Sequence, residues 1–126
     1  MRARFTPPRT EDTVMLQGTD ALKEGREYII LEIFTPHCRS ALFRIEFAES
    51  EKPALFDSRV FTVTSSALPP TWRYTNYETG SFTLCPEPWG RPGFWESYYD
   101  HEPSALEVYE SEKQKIITAS RSTEAD

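Results

Sequence analysis

The chain has 126 residues, 38% hydrophobic and 13% aromatic, with a formal net charge of −6 and a pI near 5.0. That length fits one domain spanning residues 1–126, the apolar and aromatic content excludes a disordered chain, and no apolar run approaches the ~18–20 residues that a membrane-crossing helix needs. The acidic balance argues against nucleic acid, whose binders carry a basic patch that displaces phosphate counterions, and favours a basic protein partner drawn in by long-range attraction.

In chain order, residues 1–12 hold Pro7 and Pro8 among polar neighbours and are expected to form a loose arm. Their basic start lacks the apolar stretch of a secretory signal, which suggests a cytoplasmic protein. "TVMLQ" (13–17) reads as a short edge strand, followed by a turn that gives Gly25 a left-handed position. "EYIILEIF" (27–34) is the strongest strand. Ile29, Leu31 and Ile33 share one face and Tyr28, Ile30, Glu32 and Phe34 the other, a near-continuous apolarity that predicts a central strand covered on both sides. "ALFRIEF" (41–47) alternates, with Ala41, Phe43, Ile45 and Phe47 expected inward and Arg44 and Glu46 outward. "AESEKP" is a polar turn. "RVFTVTS" (59–65) is a strand by its β-branched content, stopped by Pro69 and Pro70. "TWRYTNY" and "SFTLC" flank "ETG" as a hairpin with Gly80 at the bend.

After Cys85 the pattern changes. "PEPWGRPG" is a connector, "FWESYYDH" a short helix with Pro92 near its first turn, and "EPSALEVYESEKQKII" (102–117) an amphipathic helix. Its apolar stripe is Ala105, Leu106, Tyr109, Ile116 and Ile117, with acids toward its start and Lys113 and Lys115 toward its end, as the macrodipole favours. Residues 118–126 read as a polar tail. Strands followed by helices predict an α+β fold: an antiparallel sheet of about five strands packed by C-terminal helices.

No catalytic signature is present. His37, Cys38, Cys85 and His101 are the candidate metal ligands or nucleophile pair, but they lack the spacing of a zinc site, and neither thiol adjoins a Gly-rich elbow or a helix start. With five glycines, no phosphate-cradling loop appears. No cofactor, metal or catalytic residue is expected, and the two cysteines read either as reduced thiols, which suits the cytoplasm, or as a single bridge. Acid clusters such as Glu96, Asp100 and Glu102 arise by chance when twenty of 126 residues are acidic, so they do not by themselves suggest a glycosidase. Trp72, Tyr74, Phe82 and Trp89 would suit base stacking only beside a positive groove. "RPGFWESYYDHEP" (91–103) admits a core reading, in which Phe94, Trp95, Tyr98 and Tyr99 share one helical face against the sheet. It also admits a docking reading, in which those rings hold an acidic face rigid.

Two segments carry a family resemblance. "PALFDSRVFTV" with "LPPTW", and "LCPEPWGRPGFWESYYDHEPSALEVYESEKQKI", resemble small bacterial immunity proteins found beside polymorphic or contact-dependent toxins. The residues that suggest it are Leu55, Phe56, Asp57, Pro70, Trp72, Pro86, Trp89, Pro92, Gly93, Phe94, Trp95, Glu96, Asp100, Pro103 and Ala105, over roughly the C-terminal two thirds. The resemblance implies a non-catalytic inhibitor that blocks a cognate toxin domain, often a basic nuclease, by tight non-covalent binding; it transfers no binding residue. From the residues themselves, the expected partner-binding positions are Glu96, Asp100, Glu102, Glu107 and Glu110. The alternative is a structural or assembly protein of a phage or secretion system that oligomerises through a sheet edge.

Overall fold

The computed structural model describes residues 1–49 and 51–125, with the side chains of 122–125 excepted. Eight strands and two α-helices follow one another: β1 Arg2–Phe5, β2 Glu27–Ile29, β3 Glu32–Thr35, β4 Leu42–Ile45, β5 Ala54–Asp57, β6 Phe61–Ser65, β7 Trp72–Asn76, β8 Phe82–Pro86, α1 Phe94–Tyr99 and α2 Pro103–Ala125. The strands form a five-stranded sheet in the order β5-β4-β3-β8-β7 and a three-stranded sheet in the order β2-β1-β6, with every pairing antiparallel. The fold is α+β, as the order of strands and helices predicts, with a second sheet added.

That second sheet arises from a division inside the strongest predicted strand. The run 27–34 splits between Ile30 and Leu31. The Ile30 N–H donates to Met1 O (3.0 Å) in the small sheet, and the Leu31 N–H donates to Arg44 O (2.9 Å) in the large one. Both side chains are fully buried. Successive residues of an extended chain point to opposite faces, so two buried neighbours place the handover in the interior.

The N-terminal residues are not a loose arm. β1 is the middle strand of the small sheet, pairing Ala3 with Tyr28 on one side and Val63 on the other. Ala3 and Phe5 are core residues, and the outward Arg2 and Arg4 both reach Glu27. Four alternating residues with two arginines present too little apolarity to read as a strand. Residues 13–17 are turns rather than an edge strand, with Asp12 Oδ1 accepting the N–H groups of Val14 and Met15 at 3.0 Å; this local capping competes with a ladder. Ala54–Asp57, within "PALFDS", is a further strand, which pairs with β4. The polar tail is also a correction: α2 continues to Ala125, because Ser120 stays buried in register with Ile116.

The large sheet is covered on both faces. On one face Phe43 meets Phe61 of the small sheet (5.7 Å between centroids), and Phe61 in turn meets Phe5 (5.9 Å). On the other, Glu32 and Arg44 lie side by side beneath α1. The β7–β8 hairpin turns at Gly80 in the left-handed region (φ 87°), where an added Cβ would lie 2.6 Å from His37 Nδ1.

The position of β1 generates a prediction. Ala3→Glu buries an unpaired charge between two strands and should destabilise the fold by more than about 4 kcal/mol. Deleting residues 1–5 should abolish cooperative unfolding in urea. An unchanged denaturation midpoint for either variant would return the segment to a loose arm.

Candidate functional site: an acidic helix elbow

The predicted partner-binding residues lie on two helices joined at a tight corner. α1 starts at Gly93, held at φ 84°, and runs for six residues. It ends where the Asp100 N–H donates to Glu96 O (2.9 Å) and the Glu102 N–H to Ser97 O (3.0 Å), with His101 between them at φ 64°. Pro103 then opens α2, where no N–H is needed, and the Glu102 carbonyl accepts the Leu106 N–H at 3.0 Å.

Beneath the corner, aromatic rings fill the space to the sheet. Trp89, 1% exposed, stands at 5.4 Å from Trp95 in edge geometry and stacks on Tyr109 at 5.2 Å; Tyr98 meets Tyr109 at 4.5 Å. Tyr98 is buried and Phe94 and Trp95 are half-buried, while Tyr99 is 40% exposed. The four rings of the short helix therefore do not form one uniformly buried face.

The footing of the corner is ionic, which the strand alternation did not reveal. Arg44, expected outward, is 7% exposed; its Nε donates to Glu32 Oε1 at 2.6 Å, and Glu32 is 3% exposed. The other Glu32 oxygen accepts the Thr83 hydroxyl. The Arg44 guanidinium lies 3.7 Å from the Trp95 ring centroid and donates to the Tyr99 hydroxyl oxygen at 3.1 Å. Tyr99 Oη donates in turn to Pro53 O at 2.6 Å. Glu46, also expected outward, is half-buried and accepts Tyr109 Oη (2.6 Å) and Lys113 Nζ (3.2 Å). Alternation identifies which residues share a face; it cannot say that the polar face is covered as well. Lys113 consequently interrupts the predicted apolar stripe of α2, in which Ala105, Tyr109 and Ile116 are buried and Leu106 and Ile117 half-buried.

These surroundings move the phenols. Burial, and then the charges of Tyr99 and Glu46, push Tyr98 up to about 12. Burial and the hydrogen bond to Glu46 push Tyr109 further in the same direction.

Glu96, Asp100, Glu102, Glu107 and Glu110 are all exposed on the elbow. Glu110 pairs with Lys113 at 2.8 Å; the other four have no ion pair among the described residues. The chain carries twenty acids and fourteen Lys or Arg residues, and residues 94–112 hold six of the acids and none of the bases. Elsewhere fourteen acids balance fourteen bases; followed to Ala125, the helix pair also takes in Lys113, Lys115, Arg121 and Glu124.

The other candidate residues are dispersed. Cys38 is exposed, with its Sγ 3.2 Å from Nε2 of the adjacent His37 rather than near His101. Cys85 is buried and free, its thiol pushed well up by burial and by Glu32. No group of three or more metal-ligating side chains converges among the described residues. Arg44 is consumed inside the protein by its pair with Glu32. No helix is long and apolar enough to cross a membrane among the described residues. No family model, curated protein or solved structure matches the chain.

Two predictions come from the footing. Glu32→Ala leaves Arg44 charged and buried and should destabilise the fold by about 3–5 kcal/mol, whereas the double change Glu32→Leu with Arg44→Met should recover most of that loss. Urea denaturation of the two variants decides it, and equal losses would show that the pair is not the source. The second concerns alkali. Tyr98 and Tyr109 ionise later folded than unfolded, so the unfolded chain loses its protons first. Stability from these phenols is complete below about pH 10, the ordinary tyrosine value, and declines as pH rises toward 12. Denaturation midpoints at pH 9 and 11.5 should fall for the parent and fall less for Tyr98→Phe; an equal fall would assign the effect to other groups.

Proposed function

We propose that the chain is an immunity-type inhibitor that neutralises a cognate bacterial toxin by tight non-covalent binding, presenting the acidic elbow to a basic surface of the toxin. The observation that carries this reading is the run of six acids without a Lys or Arg in residues 94–112, on helices packed against the sheet through their aromatic rings. A field of one sign on one face raises the association rate with a basic partner, by about 10–10³-fold in strongly steered cases. A rigid elbow loses little conformational freedom on docking, so more of its contact energy is realised as affinity. If the toxin is a nuclease, clustered carboxylates stand where its substrate's phosphates would lie, and binding occludes its active site. The cytoplasm is where such an inhibitor meets its toxin.

The second reading, an assembly protein joined through a sheet edge, draws on β7. This edge strand carries the exposed Tyr74, stacked on Phe82 at 5.3 Å. Sedimentation of the free chain separates the two: a stable oligomer lost on Tyr74→Glu supports assembly, and a monomer supports the inhibitor.

The elbow is tested by reversing Glu96, Asp100, Glu102, Glu107 and Glu110 to Lys, singly and together. Each variant is co-expressed with candidate toxin domains from the adjoining reading frames and scored for cell survival, and association with a domain that the parent neutralises is timed at two salt concentrations. The combined variant should lose protection and associate at least tenfold more slowly at low salt, with Glu110 contributing least because Lys113 already offsets it. Unchanged survival and an unchanged salt dependence across the series would move the interface off the elbow.

A further inference from the structure

We infer that the outer edge of β5 is a docking groove for one extended segment of a partner polypeptide, acidic at its leading end and apolar behind it, which adds to the large sheet as a sixth strand. β5 is the terminal strand of that sheet. Along it runs an open groove of about 1170 Å³, lined by residues of the Val14–Ala21 segment and, toward the Asp57 end, of the Pro36–Ser40 loop. Its floor includes Leu55 and Phe56, successive residues that point to opposite faces. The groove therefore follows the strand's edge rather than either face of the sheet.

That edge offers main-chain hydrogen bonds. The Ser58 N–H donates to Ala41 O at 2.9 Å, one step beyond the Leu42–Asp57 pairing. In an antiparallel ladder bonded and non-bonded pairs alternate, so Phe56 and Ala54 bond inward to Phe43 and Ile45, while Leu55 aims its N–H and C=O and Asp57 its N–H into the groove, the Asp57 carbonyl being taken by the 3-10 turn Ser58–Val60. An extended peptide is the ligand whose own backbone matches this repeat. The volume also exceeds the roughly 300–1,000 Å³ of ordinary small-molecule pockets.

The register sets the occupant's polarity. The Asp57 end of β5 lies beside Leu42 and the loop that carries Arg39, while the Ala54 end lies beside Ile45 and leads to Phe47. Asp57 is taken up by Arg59, whose Nη2 lies 2.8 Å from Asp57 Oδ2, whereas Arg39 has no ion pair among the described residues. One end of the groove is thus cationic and the other apolar. Every pairing in the sheet is antiparallel, and a strand added in that sense enters at the Arg39 end. Its leading residue is therefore acidic, and alternating apolar residues follow toward Phe47.

The walls argue against a second copy as the occupant. Symmetric pairing of two β5 edges brings the strands within about 4.8 Å, and here each edge is recessed. One wall is pinned to the strand itself, with Gly18 so close that an added Cβ would touch the Phe56 ring at 3.3 Å. Thr19 Oγ1 donates to Leu16 O (2.8 Å), which fixes the turn behind it. Val14, 71% exposed, stands at the rim as an unfilled apolar contact.

The test screens a displayed library of random dodecapeptides against the full chain. Enriched sequences should begin with Asp or Glu, continue with alternating apolar residues and exclude proline from the middle. A synthetic copy of the best sequence should slow hydrogen exchange at the Leu55 and Asp57 amides. Its dissociation constant should rise at least tenfold with Arg39→Glu, with Val14→Glu, and with N-methylation of its central amides. Both substituted side chains are exposed, and thermal melts of the variants confirm that folding is retained. Failure to enrich any peptide, affinity indifferent to Arg39→Glu and to N-methylation, or a dimer of the chain that Val14→Glu dissolves would each overturn the proposal. None of these outcomes depends on the acidic elbow.

Discussion

The Glu32–Arg44 ion pair is the constraint around which the molecule is arranged. Both groups are buried between neighbouring strands, and neither is tolerable there without the other, because an isolated charge in the interior is destabilising by several kcal/mol. The pair needs cover on the helical face of the sheet. Trp95 supplies it with a ring face over the guanidinium, Tyr99 with a hydroxyl oxygen, and Thr83 with a donor to the remaining carboxylate oxygen. Satisfying one buried arginine thus fixes the seat and rotation of α1. Hydrophobic burial alone would leave that short helix free to slide, since apolar contact is non-directional.

From α1 the constraint passes outward. Tyr98 and Trp95 contact Tyr109, which fastens α2, and Tyr109 reaches back to Glu46, one strand position beyond the register pair that ends β4. Lys52 and Lys113 complete the footing. The first lies over Tyr98 and donates to its carbonyl at 2.9 Å, and the second bonds Glu46. These two cations are consequently turned toward the interior, while Lys115 and Arg91 stay exposed in pairs with Glu112 and Glu87. The acids of the two helices remain outside, and their charge is answered only at Glu110 and Glu112. The surface field is a by-product of how the helices are held down.

Much of this was legible in the residues and some was not. The β7–β8 hairpin followed from Gly80 between two alternating runs, and both helices followed from prolines at their starts and from the period of α2. The loop-like N-terminus misled because Ala3 and Phe5 carry little apolar signal. Their burial depends on β2 and β6, which lie about twenty and sixty residues away in sequence, as the partners of Arg2–Phe5 show. Arg44 and Glu46 misled for a different reason. Polar residues on an alternating strand face water in a two-layer fold, but here helices supply a third layer. Only the spatial meeting of Arg44 with Glu32 makes that layer habitable. β5 is not legible in the sequence because it holds only four residues directly after Pro53, too few for its alternation to stand out.

A concentrated negative patch ordinarily opposes folding through self-repulsion, yet part of this one sits where the helix geometry favours it. Glu102 directly precedes the start of α2, where the positive end of the macrodipole attracts a carboxylate by about 0.3–1 kcal/mol at the surface, whereas Asp100 caps the C-terminal end of α1 and Glu107 lies past the first turn of α2. Glu96 lies in the first turn of α1. Glu107 and Glu110, three apart on one face, are the unfavourable pair, and Lys113 bonds the second of them. Part of the repulsion is therefore offset within the free protein, at Glu96, Glu102 and Glu110, while these carboxylates stay exposed. The charge remains available to a partner, and the fold does not require that partner in order to carry it.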